Sequence, residues 1–294
     1  MSVRLVIKAL ATGLARYLYA LLPCPEISRP VFIIGCGRSG TTILGETLSR
    51  HPQIAYLNEP RHLWLYAYPQ TDIWAGASGA AKLLLTEADA EPSRSRIIRR
   101  LLRFEALIKG RPLLLEKLPA HCFHLGFLLR IFPAARFIHL RRNGLEVARS
   151  IAIVAEHGNW HGEDGHKWTL LAQYAQESEK TRGLPALCRS SVDQGLLEWR
   201  LSTEAALQGL QGLPKETVFE LDYEDLLGRP AETLAAIQAF LGLEDAPEVG
   251  RFALASIARK SPKLGLDAVA ESDRLIGGER LAGSIKQETG RADA

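Results

Sequence analysis

The chain has few of the features that mark several protein classes. Its 294 residues include only four cysteines, no C-x-x-C pair, and 36 basic against 33 acidic side chains. The scattered cysteines argue against a zinc ribbon or a disulfide scaffold and predict a reducing, cytoplasmic compartment. A formal charge of +3 is too small to predict nucleic-acid binding from bulk charge. Any anion-binding site must therefore be local.

A long uninterrupted apolar segment is also missing. Residues 3–22 come nearest, but Arg4, Lys8 and Arg16 interrupt them before the ~20 apolar residues that a membrane-spanning helix needs. Together with Thr12 these residues form an i, i+4 stripe, which predicts an amphipathic helix. Two interpretations stay open: the helix packs on its own domain, or it docks peripherally on a membrane surface through residues 3–22.

Neither an internal repeat nor a long linker divides the rest of the chain. We therefore predict an N-terminal helix in residues 1–25, one domain over 26–282 and a flexible polar tail over 283–294. Short β-rich runs alternate with longer stretches of helical spacing, which predicts an α/β fold with three layers (α/β/α) and a central parallel sheet. The predicted strands are 31–35, 54–58, 112–117, 136–140 and 217–221, and the main predicted helices are 41–50, 121–131, 144–156, 191–210 and 231–241.

The segment GCGRSGTT, residues 35–42, joins the first predicted strand to a helix. Such a turn directs backbone N–H groups and a helix N-terminus at one point, which favours a bound phosphate. Thr41 stands where a Walker loop needs lysine, so a nucleoside triphosphatase is not indicated.

Two other phosphate-binding templates fit this turn. In the first, Gly35, Gly37 and Gly40 match the G-x-G-x-x-G of dinucleotide-binding enzymes, and Glu59 is the ribose-binding acid of a nicotinamide-dependent oxidoreductase. The second template is a cradle for one 5′-phosphate that carries a good leaving group. Its cation and hydroxyls come from Arg38, Ser39, Thr41 and Thr42.

Three blocks of the chain, in order, resemble motifs of sulfotransferases that use 3′-phosphoadenosine-5′-phosphosulfate (PAPS). They begin at VFIIGCGRSGTT, EKLPAHCF and VFELDYEDL, and together they span residues 31 to about 242. The Arg-Ser-Gly loop and the following Glu-Pro are closest in style to the glycan and tyrosylprotein branches. The resemblance implies a nucleotide-kinase-like phosphate-binding loop, PAPS as donor, 3′-phosphoadenosine-5′-phosphate (PAP) as product, and no required metal.

The resemblance also assigns donor-binding residues. The 5′-phosphate would rest on Gly37, Arg38, Ser39, Gly40, Thr41 and Thr42. Arg142 and Ser150 match the family's 3′-phosphate ligands, although Arg141-Arg142-Asn143-Gly144 departs from the common x-R-D-P. We expect Arg142 to face the ligand and Arg141 to be solvated.

Sulfonate transfer needs a base for the acceptor hydroxyl and positive charge near the transferring group. The resemblance makes Glu59 the base, with Lys117 and Arg38 stabilising the developing charge. Lys117 could instead only form an ion pair with Glu116 or another neighbour. We expect a carbohydrate or glycolipid hydroxyl as acceptor, ahead of a peptide tyrosine or a lipid or metabolite alcohol. The non-enzymatic alternative is a nucleotide- or glycan-binding module without turnover.

Three further groups of residues carry weaker signals. The loop EHGNWHGEDGHKW, with Trp160 and Trp168, is predicted to line the acceptor site rather than to bind a metal. Aromatic residues after Glu59 could stack on a sugar ring or belong to the core: Trp64, Tyr66, Tyr68 and Trp74. One helix carries an arginine face, which we expect to be solvated or to meet an anionic partner. Its residues are Arg94, Arg96, Arg99, Arg100 and Arg103.

Overall fold

A five-stranded sheet forms the centre of the computed structural model, which describes residues 3–75 and 81–257. Its strands are β1 (Val31–Ile34), β2 (Ile54–Asn58), β3 (Leu113–Lys117), β4 (Arg136–Arg141) and β5 (Val218–Asp222). They are parallel and lie in the order β2-β3-β1-β4-β5. Each strand lies within one residue of its predicted bounds.

Eleven α-helices belong to the described residues. They are α1 (Val3–Leu21), α2 (Thr41–Leu48), α3 (Arg61–Ala67), α4 (Pro92–Ile108), α5 (Leu125–Ile131), α6 (Gly144–His157), α7 (His166–Ala175), α8 (Ser191–Leu210), α9 (Tyr223–Gly228), α10 (Pro230–Phe240) and α11 (Pro247–Ser256). None of the helices in this part of the chain is both long and apolar enough to cross a bilayer.

Helices cover both faces of the sheet, and successive strand residues point to opposite faces, so each strand contributes to two cores. Phe32 and Ile34 contribute to one core with α3, α4, α5, α6 and α8. Val31 and Ile33 contribute to the other, with α2, α9, α10 and α11. The predicted three-layer α/β fold with a central parallel sheet is therefore confirmed.

The predicted helix over 121–131 is wrong in its first part. A short 3-10 helix occupies Pro119–Phe123, and α5 begins only at Leu125. Between them His124 has φ −123° and ψ 13°. Its Nε2 lies 3.1 Å from the carbonyl oxygen of Leu83, and its Nδ1 lies 3.2 Å from Nδ1 of His121. These buried contacts hold His124 outside helical geometry.

Helix α1 packs on α4, in agreement with the first interpretation of the N-terminal segment. Arg16 Nε donates to Glu105 Oε1 at 2.6 Å, and Tyr19 contacts Phe104. Arg100 Nη1 donates to the carbonyl oxygen of Ala20. The last turn of α1 contains no basic residue of its own, and Arg100 supplies a positive charge at this negative end of the helix dipole.

Three of the five arginines of α4 are therefore paired within the chain, and the prediction of a solvated face is wrong for these three, whereas Arg96 is exposed. Arg99 and Arg100 both approach Glu26, which lies in the segment that follows α1. Arg94 pairs with Glu91 and donates to the carbonyl oxygen of Ala67. The predicted tail over 283–294 lies outside the described residues, and the division into a helix, one domain and a tail stays a prediction.

Candidate active site

The turn between β1 and α2 approaches its neighbours too closely for larger residues at its glycines, Gly37 and Gly40 among them. A Cβ on Gly37 would lie 2.7 Å from the Trp160 ring, and one on Gly40 would lie 2.5 Å from the Tyr223 ring. Gly40 also has φ +97°, which side chains other than glycine rarely adopt. Arg38 has φ +72° between these two glycines. A non-glycine residue in this region is typical of a functional turn that the surrounding structure stabilises.

A cavity of about 330 Å³ opens beside this turn. Its lining residues are Arg38, Gly40, Thr41, Thr42, Ile43, Arg142, Glu146, Ser150, Ile153 and Tyr223. Arg38 Nε donates to Ser150 Oγ at 3.1 Å, and Arg142 Nη1 donates to the carbonyl oxygen of Arg38 at 3.2 Å. The structure thus brings six of the eight predicted donor-binding residues to one cavity. The other two do not line it: Gly37 faces Trp160, and Ser39 is buried.

The two consecutive arginines after β4 point to different partners. The Arg142 guanidinium lies 4.3 Å from the centre of the Tyr223 ring, and its Nη2 lies 2.8 Å from Glu146 Oε2. Arg141 instead donates to both carboxylate oxygens of Asp222 on β5, at 3.0 and 3.2 Å. Arg142 therefore lines the cavity, while the prediction that Arg141 is solvated is wrong, because parallel pairing of β4 and β5 places Asp222 opposite it.

Sequence reasoning did not single out Glu146 and Tyr223 as members of this cavity. Glu146 lies one helical turn after Arg142, and that i, i+4 spacing is a signal for an ion pair. Tyr223 opens the Y-E-D-L turn directly after β5, where residues that follow parallel strands reach the same edge of the sheet.

Glu59 and Lys117 lie at the ends of the neighbouring strands β2 and β3. Glu59 has φ +47°, and its backbone N–H donates to the carbonyl oxygen of Lys117 at 2.7 Å. Lys117 Nζ donates to Glu59 Oε1 at 2.6 Å, while Arg61 Nη2 donates to Oε2 at 2.8 Å. The structure thus brings the predicted base and one of its predicted cations into direct contact.

This contact sets the ionisation of both groups. Burial alone would raise the pKa of Glu59, but the adjacent charges of Lys117 and Arg61 outweigh it and lower that pKa. Burial is also the main reason that the pKa of Lys117 is lowered; Glu59 opposes this shift, and the positive charges of Arg61 and Arg38 add to it. The Glu59 side chain is therefore a carboxylate at neutral pH.

Glu116 is not the partner of Lys117, because consecutive strand residues face opposite sides of the sheet. Its buried carboxylate accepts a hydrogen bond from Trp64 Nε1 at 2.6 Å and lies 3.0 Å from His121 Nε2. The predicted ion pair of Lys117 with Glu116 is wrong, whereas a pair with another neighbour, Glu59, is present.

The aromatic residues that follow Glu59 divide into core and surface groups. Trp64 and Tyr68 are fully buried, which is the core alternative. Tyr66 is exposed and packs on Tyr17 of α1, with ring centres 4.5 Å apart. Trp74 lies under the guanidinium of Arg61, whose Cζ is 3.5 Å from the ring centre. Only Trp74 is joined to the Glu59 side chain, through Arg61.

A second aromatic side chain, Trp160, covers the phosphate-binding turn at Gly37. Its indole Nε1 donates to Glu198 Oε2 at 2.8 Å, and the other oxygen of Glu198 accepts from Lys167 Nζ at 2.6 Å. Lys167 Nζ also lies 4.3 Å from the centre of the Trp160 ring. Burial would raise the pKa of Glu198, but the Lys167 charge and nearby hydrogen bonds lower it. We refer to Trp74, Trp160, Lys167 and Glu198 as the tryptophan wall.

Sequence reasoning found the loop of the tryptophan wall but not its buried carboxylate. Glu198 lies inside α8, 31 residues after Lys167, and no local pattern joins the two. His161 lies 3.6 Å from Glu198 and packs against Trp168, so it belongs to the same group of contacts.

A family model described as the sulfotransferase family matches residues 30–247, about three quarters of the chain. The chain belongs to the sulfotransferase family. The match contains the phosphate-binding turn, Glu59, Lys117, Arg142 and Ser150. Membership decides against the nicotinamide-dependent alternative that the three glycines left open.

Three proteins are similar to parts of this chain. An uncharacterised protein of Aquifex aeolicus is 31% identical over 133 residues, covering 42% of this chain and 16% of that protein. Omega-hydroxy-beta-dihydromenaquinone-9 sulfotransferase Stf3 of Mycobacterium tuberculosis is 27% identical, covering 74% of this chain and 63% of the relative. Among solved structures, a sulfotransferase domain from the curacin biosynthetic pathway has a TM-score of 0.49 at 18% identity, covering 76% of this chain and 77% of that domain. The chain thus spans less than two thirds of the length of these two curated relatives.

Proposed function

We propose that the protein is a PAPS-dependent sulfotransferase that moves a sulfonate group to a hydroxyl of a carbohydrate or glycolipid. Membership of the sulfotransferase family supports the class of reaction. The observation that carries the choice of donor is the cavity that joins Arg38, Thr41 and Thr42 to Arg142 and Ser150. A nucleotide with acidic groups at both its 3′ and 5′ positions needs two such anchors.

The residues of this cavity fit the donor. Arg38, the hydroxyls of Thr41 and Thr42 and the N-terminus of α2 would hold the 5′-phosphosulfate. Arg142 and Ser150 would hold the 3′-phosphate, with hydrogen bonds to a charged group. The aromatic ring of Tyr223 and the side chain of Ile43 supply an apolar surface for the base.

The Glu59 carboxylate would accept the proton of the acceptor hydroxyl as the acceptor oxygen bonds to sulfur. The bond between sulfur and the 5′-phosphate oxygen breaks in the same in-line displacement, and PAP leaves. Lys117 and Arg38 would stabilise the negative charge that develops on the departing and sulfonyl oxygens. A bound donor would compete with Glu59 for Lys117, and any weakening of that ion pair makes Glu59 a stronger base.

Support for the acceptor comes from the two tryptophans of the tryptophan wall. Trp74 and Trp160 present indole rings near two cations, an arrangement that suits the apolar face of a sugar ring while polar groups meet its hydroxyls. The name of the M. tuberculosis relative describes a hydroxylated menaquinone as its substrate, which is a lipid alcohol. A sugar hydroxyl carried on a lipid satisfies both observations.

A ligand panel tests the donor directly. The unfolding temperature, Tm, is measured with PAP, NAD, NADP and ATP, and we expect PAP to raise it most. A ligand at 100 times its Kd stabilises the folded protein by about 2.7 kcal/mol. No effect of PAP, or a larger effect of NAD, would overturn the proposal. Transfer from labelled PAPS to glycans, glycolipids, tyrosine peptides and lipid alcohols then identifies the acceptor. Binding of PAP without transfer to any of them would favour the inactive binding module.

A further inference from the structure

Over residues 11–22, helix α1 and the residue that follows it present large apolar side chains to solvent. Leu14, Leu18 and Leu21 of α1 are 63%, 49% and 63% exposed and lie on one face of the helix, and Leu22, directly after the helix, is 53% exposed; we call these four residues the leucine face. A surface helix of a globular domain normally turns its charged side outward. In α1 the charged side chain of Arg16 faces α4 instead.

The orientation of α1 is fixed by specific contacts. The ion pair of Arg16 with Glu105 is largely buried, with side-chain exposures of 19% and 9%. Ala20 is fully buried, and its carbonyl oxygen accepts from Arg100. Because these contacts occupy the opposite side of the helix, the leucine face stays outward.

The leucine face continues toward the candidate active site. Tyr17 of α1 packs on Tyr66 of α3, and both Tyr66 and the adjacent Leu65 are exposed, at 43% and 40%. Helix α3 begins two residues after Glu59. An apolar surface therefore extends from α1 to the helix that follows the proposed base.

The charge of α1 favours one occupant for this surface. Besides Arg16, which is paired with Glu105, the sequence of the helix contains the basic residues Arg4 and Lys8 and no acidic residue. Two copies pairing through α1 would bring like charges together. The last described helix, α11, packs in the layer on the other side of the sheet from α1. An anionic bilayer matches both the apolar surface and the basic charge.

We propose that the leucine face docks on an anionic membrane surface. Docking would place α3 and the Glu59 side of the site toward the bilayer, where a lipid-linked acceptor is held. Only this last consequence rests on the proposed function, since docking itself requires neither donor nor acceptor.

Vesicle flotation of the full chain tests the docking. The vesicles contain phosphatidylcholine with or without the anionic lipid phosphatidylglycerol. The wild type should bind the anionic vesicles more tightly, and high salt should reduce this preference. The Leu14→Asn/Leu18→Asn variant should lower the partition coefficient roughly tenfold per leucine removed from the bilayer. Leu254→Asn is the matched control, because Leu254 is 65% exposed on α11, and its binding should equal that of the wild type.

Several results would overturn the proposal. They are absence of wild-type binding, equal binding by the double variant, and a wild-type dimer in light scattering that the double variant converts to a monomer. Thermal unfolding with PAP separates this failure from failure of the proposed function. If docking is wrong but the donor is right, PAP stabilises the protein and no vesicle binds; if only the donor is wrong, the leucine variant still loses vesicle binding.

Discussion

The cavity beside the phosphate-binding turn, here called the donor cavity, and the tryptophan wall both contain charged side chains, but these differ in burial and in their partners. In the cavity, Arg38 bonds to the neutral hydroxyl of Ser150, and Arg142 pairs with Glu146, whose side chain is 44% exposed. In the wall, Lys167 and Glu198 are almost fully buried and bonded to each other at 2.6 Å. Arg38 and Arg142 can therefore exchange their present partners for a phosphate. The buried pair of the wall stays intact and fixes the shape of the site.

Glu59, which is held by Lys117 and Arg61, is expected to show the largest effect. Glu59→Gln keeps the size of the side chain but removes its ability to accept a proton, so transfer from labelled PAPS should fall by about 10²- to 10⁴-fold. PAP binding should persist, because Glu59 does not line the donor cavity. Glu224→Gln, at an exposed glutamate of α9, is the matched control. Unchanged turnover in Glu59→Gln would remove the base assignment.

The buried pair of the wall should matter more for stability than any exposed pair. Glu198→Gln leaves the buried Lys167 ammonium without its counter-charge, and we expect a loss of about 3 kcal/mol in the free energy of unfolding. Chemical denaturation measures this loss. Glu248→Gln, which breaks the exposed pair with Arg251, should cause little change. Equal effects of the two substitutions would show that the wall is not held by this pair.

The donor cavity is tested at two consecutive arginines, of which Arg142 lines the cavity and Arg141 does not. Arg142→Ala removes a charged hydrogen-bond donor from the proposed 3′-phosphate site, so PAP binding should weaken by about 10- to 100-fold in titration calorimetry. AMP, which lacks the 3′-phosphate, should be affected much less. Arg141→Ala breaks a contact with Asp222 on β5 and should leave PAP binding close to the wild-type value. Equal weakening of PAP and AMP would move the 3′-phosphate elsewhere.

The same contrast explains what could be predicted from the sequence. The strands and the cavity residues were predictable because Gly35 to Thr42 and Arg142 to Ser150 are short, continuous segments at strand ends. The wall was not predictable beyond its loop, since Trp74, Lys167 and Glu198 meet only after folding. The prediction that the arginines of α4 are solvated failed for a related reason, because their partners, Glu26 and the end of α1, are distant in the sequence.

The smallest expected effect concerns the pH dependence of transfer. Because Lys117 and Arg61 together lower the pKa of Glu59 despite its burial, the base stays ionised as pH falls through the ordinary carboxyl range, and the rate declines only when pH drops through the lowered pKa. Arg61→Ala removes one of the two cations, so the acid limb of the pH–rate profile should move to higher pH. The stability that ionised Glu59 contributes has the same sign: it is present above the unfolded-state pKa and is lost as pH falls through the folded-state value. Arg251→Ala, which removes an exposed arginine distant from the site, should leave the limb in place. A limb that stays fixed in Arg61→Ala would mean that Lys117 alone sets the ionisation of Glu59, and that Arg61 only packs on Trp74.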